Sequence, residues 1–141
     1  MTRKKDDKFV NLTIDTDVEL DVVGNVDVTG ELNVIGKCSG KSHIKISGSK
    51  KQKIKGGGKV ANITFNNSND VSLESDLTIE GELTLTDGDL EVADNTVVLN
   101  GNTSHGNSSS YLKINGTGTV NANVGTDPVI FPIGRNPYLP I

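Results

Sequence analysis

The sequence predicts an all-β fold, a parallel β-helix (β-solenoid) of about five or six short rungs. Three observations predict it. Apolar residues recur as period-2 pairs with little between them, and glycines fall in the gaps. The chain of 141 residues is also poor in bulk, with 33% hydrophobic residues, 4% aromatics and no tryptophan. Helix formers are scarce, while Val, Ile, Thr, Asn, Asp and Gly, which favour strands and turns, are abundant. A helical bundle is excluded on these grounds. A conventional β-sandwich is disfavoured because its core leans on large rings.

The pairs run Leu12-x-Ile14, Val18-x-Leu20-x-Val22, Val26-x-Val28, Leu32-x-Val34 and Ile44-x-Ile46. They continue Val71-x-Leu73, Leu77-x-Ile79, Leu83-x-Leu85, Leu90-x-Val92, Val97-x-Leu99 and Leu112-x-Ile114. Alternation turns one face of each strand inward and leaves Thr, Asp, Glu and Asn outward. Hairpins would need more Asn-Gly or Asp-Gly turns than Asp87-Gly88, Asn100-Gly101 and Asn115-Gly116 supply. A coil with three strands and roughly 20 residues per rung fits, each strand pairing with its equivalent one rung later. Gly30, Gly36, Gly48, Gly81, Gly88, Gly101 and Gly116 stand where corners are required. Val71–Leu85 makes one rung and Leu90–Ile114 the next, with 102–110 expected as a protruding polar insertion. Stacked aliphatics tile so narrow an interior, so the rings Phe9, Phe65, Tyr111, Phe131 and Tyr138 are expected at ends, corners or the tail.

This divides the chain into a charged flexible tail (1–8), a solenoid (9–127) and a Pro-rich C-terminal strap (128–141). The last segment holds all four prolines together with Phe131 and Tyr138. Proline cannot donate to a ladder, so the segment is expected to cap the last rung or dock on a neighbouring subunit through Phe131, Pro132, Tyr138 and Pro140. Open terminal rungs make a homo-oligomer the expectation, a trimer among the options. The single cysteine, Cys38, forms no intramolecular disulfide. No apolar run is long enough for a membrane helix, and no apolar stretch follows the charges of residues 1–8, so no membrane insertion and no secretory leader are expected. With Met1 as the natural start, the protein is made in a cytoplasm.

The motif order from Ser47 onward resembles a known family. Ser47-Gly48 with Gln52-Lys53-Ile54-Lys55-Gly56 is similar to a "Ser-Gly, Gln-x-Ile-x-Gly" signature. Ile63-Thr64-Phe65-Asn66 through Val71-Ser72-Leu73 follows as its usual continuation, and Asp76-Leu77-Thr78-Ile79-Glu80-Gly81-Glu82-Leu83-Thr84-Leu85 comes next. Asn95-Thr96-Val97-Val98-Leu99-Asn100-Gly101, Phe131-Pro132-Ile133-Gly134 and Tyr138-Leu139-Pro140-Ile141 complete the series. It resembles the right-handed β-solenoid segments of adhesin-like surface and secreted proteins of Bacteroidetes bacteria. The resemblance implies a right-handed coil. A short, leaderless form suits a bacteriophage virion protein, since phage fibres, spikes and head decorations use β-solenoids. A fainter resemblance is to bactofilins, cytoskeletal filament proteins.

Charge is segregated. Residues 9–36 carry six acids and no Lys or Arg, residues 37–59 eight lysines and no acid, and residues 60–112 nine acids and no Lys or Arg. In a coil the lysines become a belt between acidic rungs. They are expected either to pair with carboxylates on neighbouring rungs or, through Lys45, Lys50, Lys51, Lys53 and Lys55, to contact an anionic partner such as a surface glycan or an acidic protein face. Nucleic acid is not expected, since no aromatics interleave with the lysines and the net charge is −4. His43 and His105 do not converge with other ligands, Asp87-Gly88-Asp89 reads as a corner rather than a calcium loop, and Gly56-Gly57-Gly58 lacks the helix and Lys-Ser/Thr of a phosphate cradle. No catalytic residue, cofactor or metal is therefore expected. The function expected is a structural virion component that assembles with copies of itself or other structural proteins. The competing expectations are a fragment of a cell-surface or secreted adhesin, and an enzyme or lectin acting on surface glycans.

Overall fold

A computed structural model describes residues 2–3, 7–105, 109–122, 133–135 and 139–140. Every regular element in them is a β-strand, and all of them except the edge strand Leu139–Pro140 stack in parallel into three sheets. The first sheet runs Thr2–Arg3, Glu19–Val22, Lys37–Ser39, Lys59–Val60, Leu77–Ile79, Thr96–Leu99 and Thr119–Ala122. The second runs Asp7–Phe9, Gly24–Val28, Ser42–Ile46, Asn62–Asn66, Leu83–Asp87 and Thr103–His105. The third runs Leu12–Ile14, Leu32–Val34, Gln52–Lys55, Val71–Leu73, Leu90–Glu91, Leu112–Lys113 and Ile133–Arg135. The chain visits the three sheets in rotation, so it is a β-solenoid of about six turns. Partners in the parallel ladders lie 18 to 23 residues apart, from Glu19 opposite Lys37 to Thr96 opposite Thr119.

Parallel stacking converts the period-2 pattern into continuous columns of like side chains. In the second sheet Val26, Ile44, Ile63 and Leu83 stand one above another, and Val28, Ile46, Phe65 and Leu85 form the adjacent column. All eight are buried, as are their counterparts Leu32, Ile54, Leu73, Leu77 and Val97 in the other sheets. The core is thus a narrow tube of aliphatic columns. Each side chain has neighbours above, below and across, which is the close contact that makes burial favourable.

Corners have their own chemistry. Gly88 has φ +77°, and a Cβ there would collide with the carbonyl of Asn67 on the turn below. Asp17, Asp70 and Ala93 also adopt positive φ. Asn and Asp tolerate that region, whereas alanine does so at a cost of about 1–2 kcal/mol.

Four expectations are corrected. Thr2–Arg3 and Asp7–Phe9, expected within a solvated tail, are strands of the first turn opposite Asp21–Val22 and Val26–Val28. Thr103–His105, expected in a protruding insertion, pairs in parallel with Leu83–Leu85. The coil does not stop at 127, because Ile133–Gly134 pairs with Leu112–Lys113. Phe65 is neither at an end nor at a corner. It is fully buried between Ile46 and Leu85, and the ladder slips by one residue beside it, so that Asn66 faces Asp87. Of the C-terminal docking residues, Phe131, Pro132 and Tyr138 lie outside the described residues. The backbone of Leu139–Pro140 forms an antiparallel strand against Gly134–Arg135, at the edge of the third sheet.

Candidate functional site

The belt of eight lysines occupies one full turn, touching all three sheets. Lys37 lies on the first sheet, Lys41 at the next corner and Lys45 on the outer face of the second sheet. Lys50 and Lys51 lie at the following corner, Lys53 and Lys55 on the third sheet, and Lys59 back on the first. The belt is a ring and not a single patch, because its residues run through one complete circuit.

Four belt lysines have carboxylate partners on other turns. Lys51 Nζ lies 2.5 Å from Glu91, Lys53 Nζ 3.1 Å from Glu74, Lys55 Nζ 3.0 Å from Glu31 and Lys59 Nζ 3.7 Å from Glu80. Three of these pairs cover the third sheet, so Lys51, Lys53 and Lys55 serve the seam between turns. All are substantially exposed on the lysine side, and each contributes at most about 1 kcal/mol. Lys45 stands in register with Asp27 one turn below, and Lys50 is exposed at its corner. Among the described residues, neither has a carboxylate within 4 Å.

The remaining singled-out groups also bind across turns. His43 Nε2 lies 2.5 Å from the Thr64 hydroxyl on the turn above. Only the backbone of His105 is described, in the last strand of the second sheet. Asp87–Gly88–Asp89 is a corner in which Asp87 Oδ1 accepts the Gly88 N–H at 3.0 Å. At Gly56–Gly57–Gly58 the Gly57 N–H donates to the Ser75 hydroxyl and the Gly58 N–H to the Val34 carbonyl. Among the described residues no three His, Cys, Asp or Glu side chains converge as a metal site. The Cys38 thiol donates to the Ser42 hydroxyl, which donates to the Ser39 carbonyl. Burial pushes this thiol up from its ordinary pKa, the Ser42 bond partly offsets that, and the Asp21 carboxylate adds to it.

Sequence reasoning missed the polar stitching. Asn11, Asn62, Asp70, Asp76 and Asp94 each use Oδ1 to accept a backbone N–H one turn on, from Glu31, Glu82, Asp89, Thr96 and Thr117, all at 2.8 Å. The signal available was Asn or Asp beside a strand end, recurring near the turn length. Gln52 is the other missed group. Its amide is buried and fully bonded, with Nε2 donating to the Val28 and Gly30 carbonyls and Oε1 accepting from the Gly48 N–H and Asn67 Nδ2. Each bond contributes about 1 kcal/mol when made and costs more when broken.

Shallow grooves among the described residues include the following pair. One, of about 390 Å³, is lined by Ser39, Gly40, Asn62 and Glu80 at the corner joining the first and second sheets. The other, of about 340 Å³, lies around Val18 and Ile35. No helix is long and apolar enough to cross a membrane among the described residues. No family model, curated protein or solved structure matches this chain.

Proposed function

We propose that the protein is a non-catalytic structural component of a virus particle, of capsid-decoration, head-fibre, spike or tail-fibre type. It is a short rigid rod that assembles with copies of itself or with other structural proteins. The observation that carries this is where the polar side chains go. The corner Asn and Asp residues, Gln52 and four belt lysines all bind neighbouring turns, which is the arrangement of a spacer that must resist bending. The virion setting rests on the resemblance of the motif series Ser47–Gly101 to bacterial adhesin-like solenoids and on the use of such coils in phage fibres and decorations. In this role the protein holds no cofactor or metal, and Phe131, Pro132, Tyr138 and Pro140 are its C-terminal docking residues. The test is gradient sedimentation of its native source with mass spectrometry of each fraction. The protein is expected in a fast-sedimenting particle beside other structural proteins, and recovery only as a small free species would contradict the proposal.

A second role, as a piece of a cell-surface or secreted adhesin, is favoured by Lys45 and Lys50, whose ammonium groups have no carboxylate within 4 Å among the described residues. It predicts binding of anionic glycan that is lost in Lys45→Ala/Lys50→Ala. Retention of binding in that variant would remove it.

A further inference from the structure

We infer that the corner around Val18 and Ile35 is a self-complementary surface through which two copies pack side by side with their rod axes antiparallel. This rests on the proposal that the chain is an assembly protein, and it names the surface and the geometry.

Four large apolar residues are exposed among the described residues, and two of them, Val18 (45% exposed) and Ile35 (42% exposed), line one groove with Asp17, Glu19 and Lys37. The ladder fixes their arrangement. Glu19 stands opposite Lys37, and the Lys37 N–H donates to the Val18 carbonyl at 3.0 Å. Val18, Asp17 and Glu19 therefore share one turn, and Ile35 and Lys37 sit on the next. Along the rod axis the patch reads acidic with Val18, then Ile35 with basic. Among the described residues Lys37 has no carboxylate within 4 Å, and Asp17 makes no ion pair.

A two-fold contact places the same patch on both partners, so the patch must complement itself. With antiparallel axes, a two-fold between the turns sets Val18 against the second copy's Ile35 and Asp17 against its Lys37. With parallel axes, Asp17 would face Asp17 and Lys37 would face Lys37. Like charges so juxtaposed are unfavourable. The antiparallel arrangement is therefore selected by charge, and the apolar pair supplies the buried centre. The patch is small beside a standard interface of about 1,600 Å², so a dissociation constant on the order of 10–100 μM is expected.

The experiment is sedimentation equilibrium of the full chain from about 1 to 500 μM, chosen to bracket that affinity. Wild type is expected to dimerise. Ile35→Lys should abolish dimerisation and Lys37→Glu should weaken it about tenfold or more. Asp17→Lys/Lys37→Glu, which restores complementarity, should recover it to within about threefold. Val18→Thr, nearly isosteric and polar, is the variant that keeps the fold if a charged substitution does not, and it too should weaken association. A mixture of Val18→Cys and Ile35→Cys proteins should form mixed disulfides in preference to either homodisulfide. Association that none of these substitutions alters would overturn the patch while leaving assembly intact. A monomer across the whole range would also overturn it. Homodisulfides through Val18→Cys alone would overturn the antiparallel geometry.

Discussion

Asp70 and Asp89 occupy equivalent corners of successive turns, and Asp70 Oδ1 accepts the backbone N–H of Asp89 at 2.8 Å. The bond stitches the turns, but it also brings one carboxylate beside another. Asp89 accepts the Tyr111 N–H at 3.3 Å from the next turn and has Lys113 Nζ at 3.8 Å. Partial burial, reinforced by the Asp70 charge, nevertheless raises its pKa above the ordinary aspartate value, against the Tyr111 bond and Lys113. A carboxyl whose pKa is higher folded than unfolded is a stability penalty at neutral pH. The penalty is absent below the ordinary aspartate pKa and builds as pH rises through the raised value. Asp89→Asn keeps the acceptor and is expected to stabilise the protein at pH 7, by no more than about 1 kcal/mol because the group retains part of its water. Urea unfolding of both proteins at pH 7 and pH 3 checks it, with the gap closing at the lower pH.

Asp94 carries the opposite sign. The Thr117 N–H and hydroxyl donate to its Oδ1 at 2.8 and 3.0 Å and lower its pKa. Its contribution is present above the ordinary aspartate pKa and is lost as pH falls through the lowered folded value. Asp94→Asn is expected to lower Tm at pH 7 and to have no effect once wild-type Asp94 is protonated. Thermal unfolding across pH 2–7 would show it.

Gln52 is the test of the buried polar network. Gln52→Leu matches its size but strands the Gly48 N–H and the Gly30 carbonyl, and takes one of two partners from the Val28 carbonyl and the Asn67 amide, which keep the Ser47 N–H and the Lys50 carbonyl; it is expected to cost about 2–4 kcal/mol. A loss below about 1 kcal/mol in denaturant unfolding would mean that water replaces these bonds.

Two corner substitutions should act in opposite directions. Gly88→Ala adds a Cβ against the Asn67 carbonyl at φ +77° and is expected to cost at least about 2 kcal/mol. Ala93→Gly removes strain at φ +55° and is expected to gain about 0.5–1 kcal/mol. Paired Tm measurements check both.

The belt lysines bear on seam against ligand. Lys51→Ala, Lys53→Ala and Lys55→Ala should each cost at most about 1 kcal/mol. The loss should shrink on raising salt from about 0.05 to about 0.5 M, because exposed pairs are screened. Losses that do not respond to salt would show that side-chain packing, and not charge, is what the lysines provide.

Strands carrying two inward aliphatics, such as Leu83–Leu85 and Leu32–Val34, were legible in the sequence because period-2 alternation is a local property. Lys37–Ser39, Lys59–Val60 and Thr103–His105 were not, since each brings one inward apolar residue or none. They are strands because the turns beside them supply a ladder to join. Phe65 was misplaced by the same locality, since whether a ring fits depends on Ile46 and Leu85 about twenty residues away on either side. The charge belts were legible, as was the expectation that lysines meet acids on other turns, but the distance was not. Lys51 reaches past the adjacent turn to Glu91, 40 residues on. The Val18–Ile35 groove was invisible because Val18 reads as one of a strand's inward series, and only the corner geometry turns it out to solvent.

The proposed role makes this coil a building block of a larger particle. The most direct measurement is the mass of the native assembly isolated without denaturation, with its subunits identified and counted. Multiple copies of this chain in one particle with other structural proteins is the predicted result. A free monomer of 14.9 kDa, secreted and unaccompanied, would contradict it.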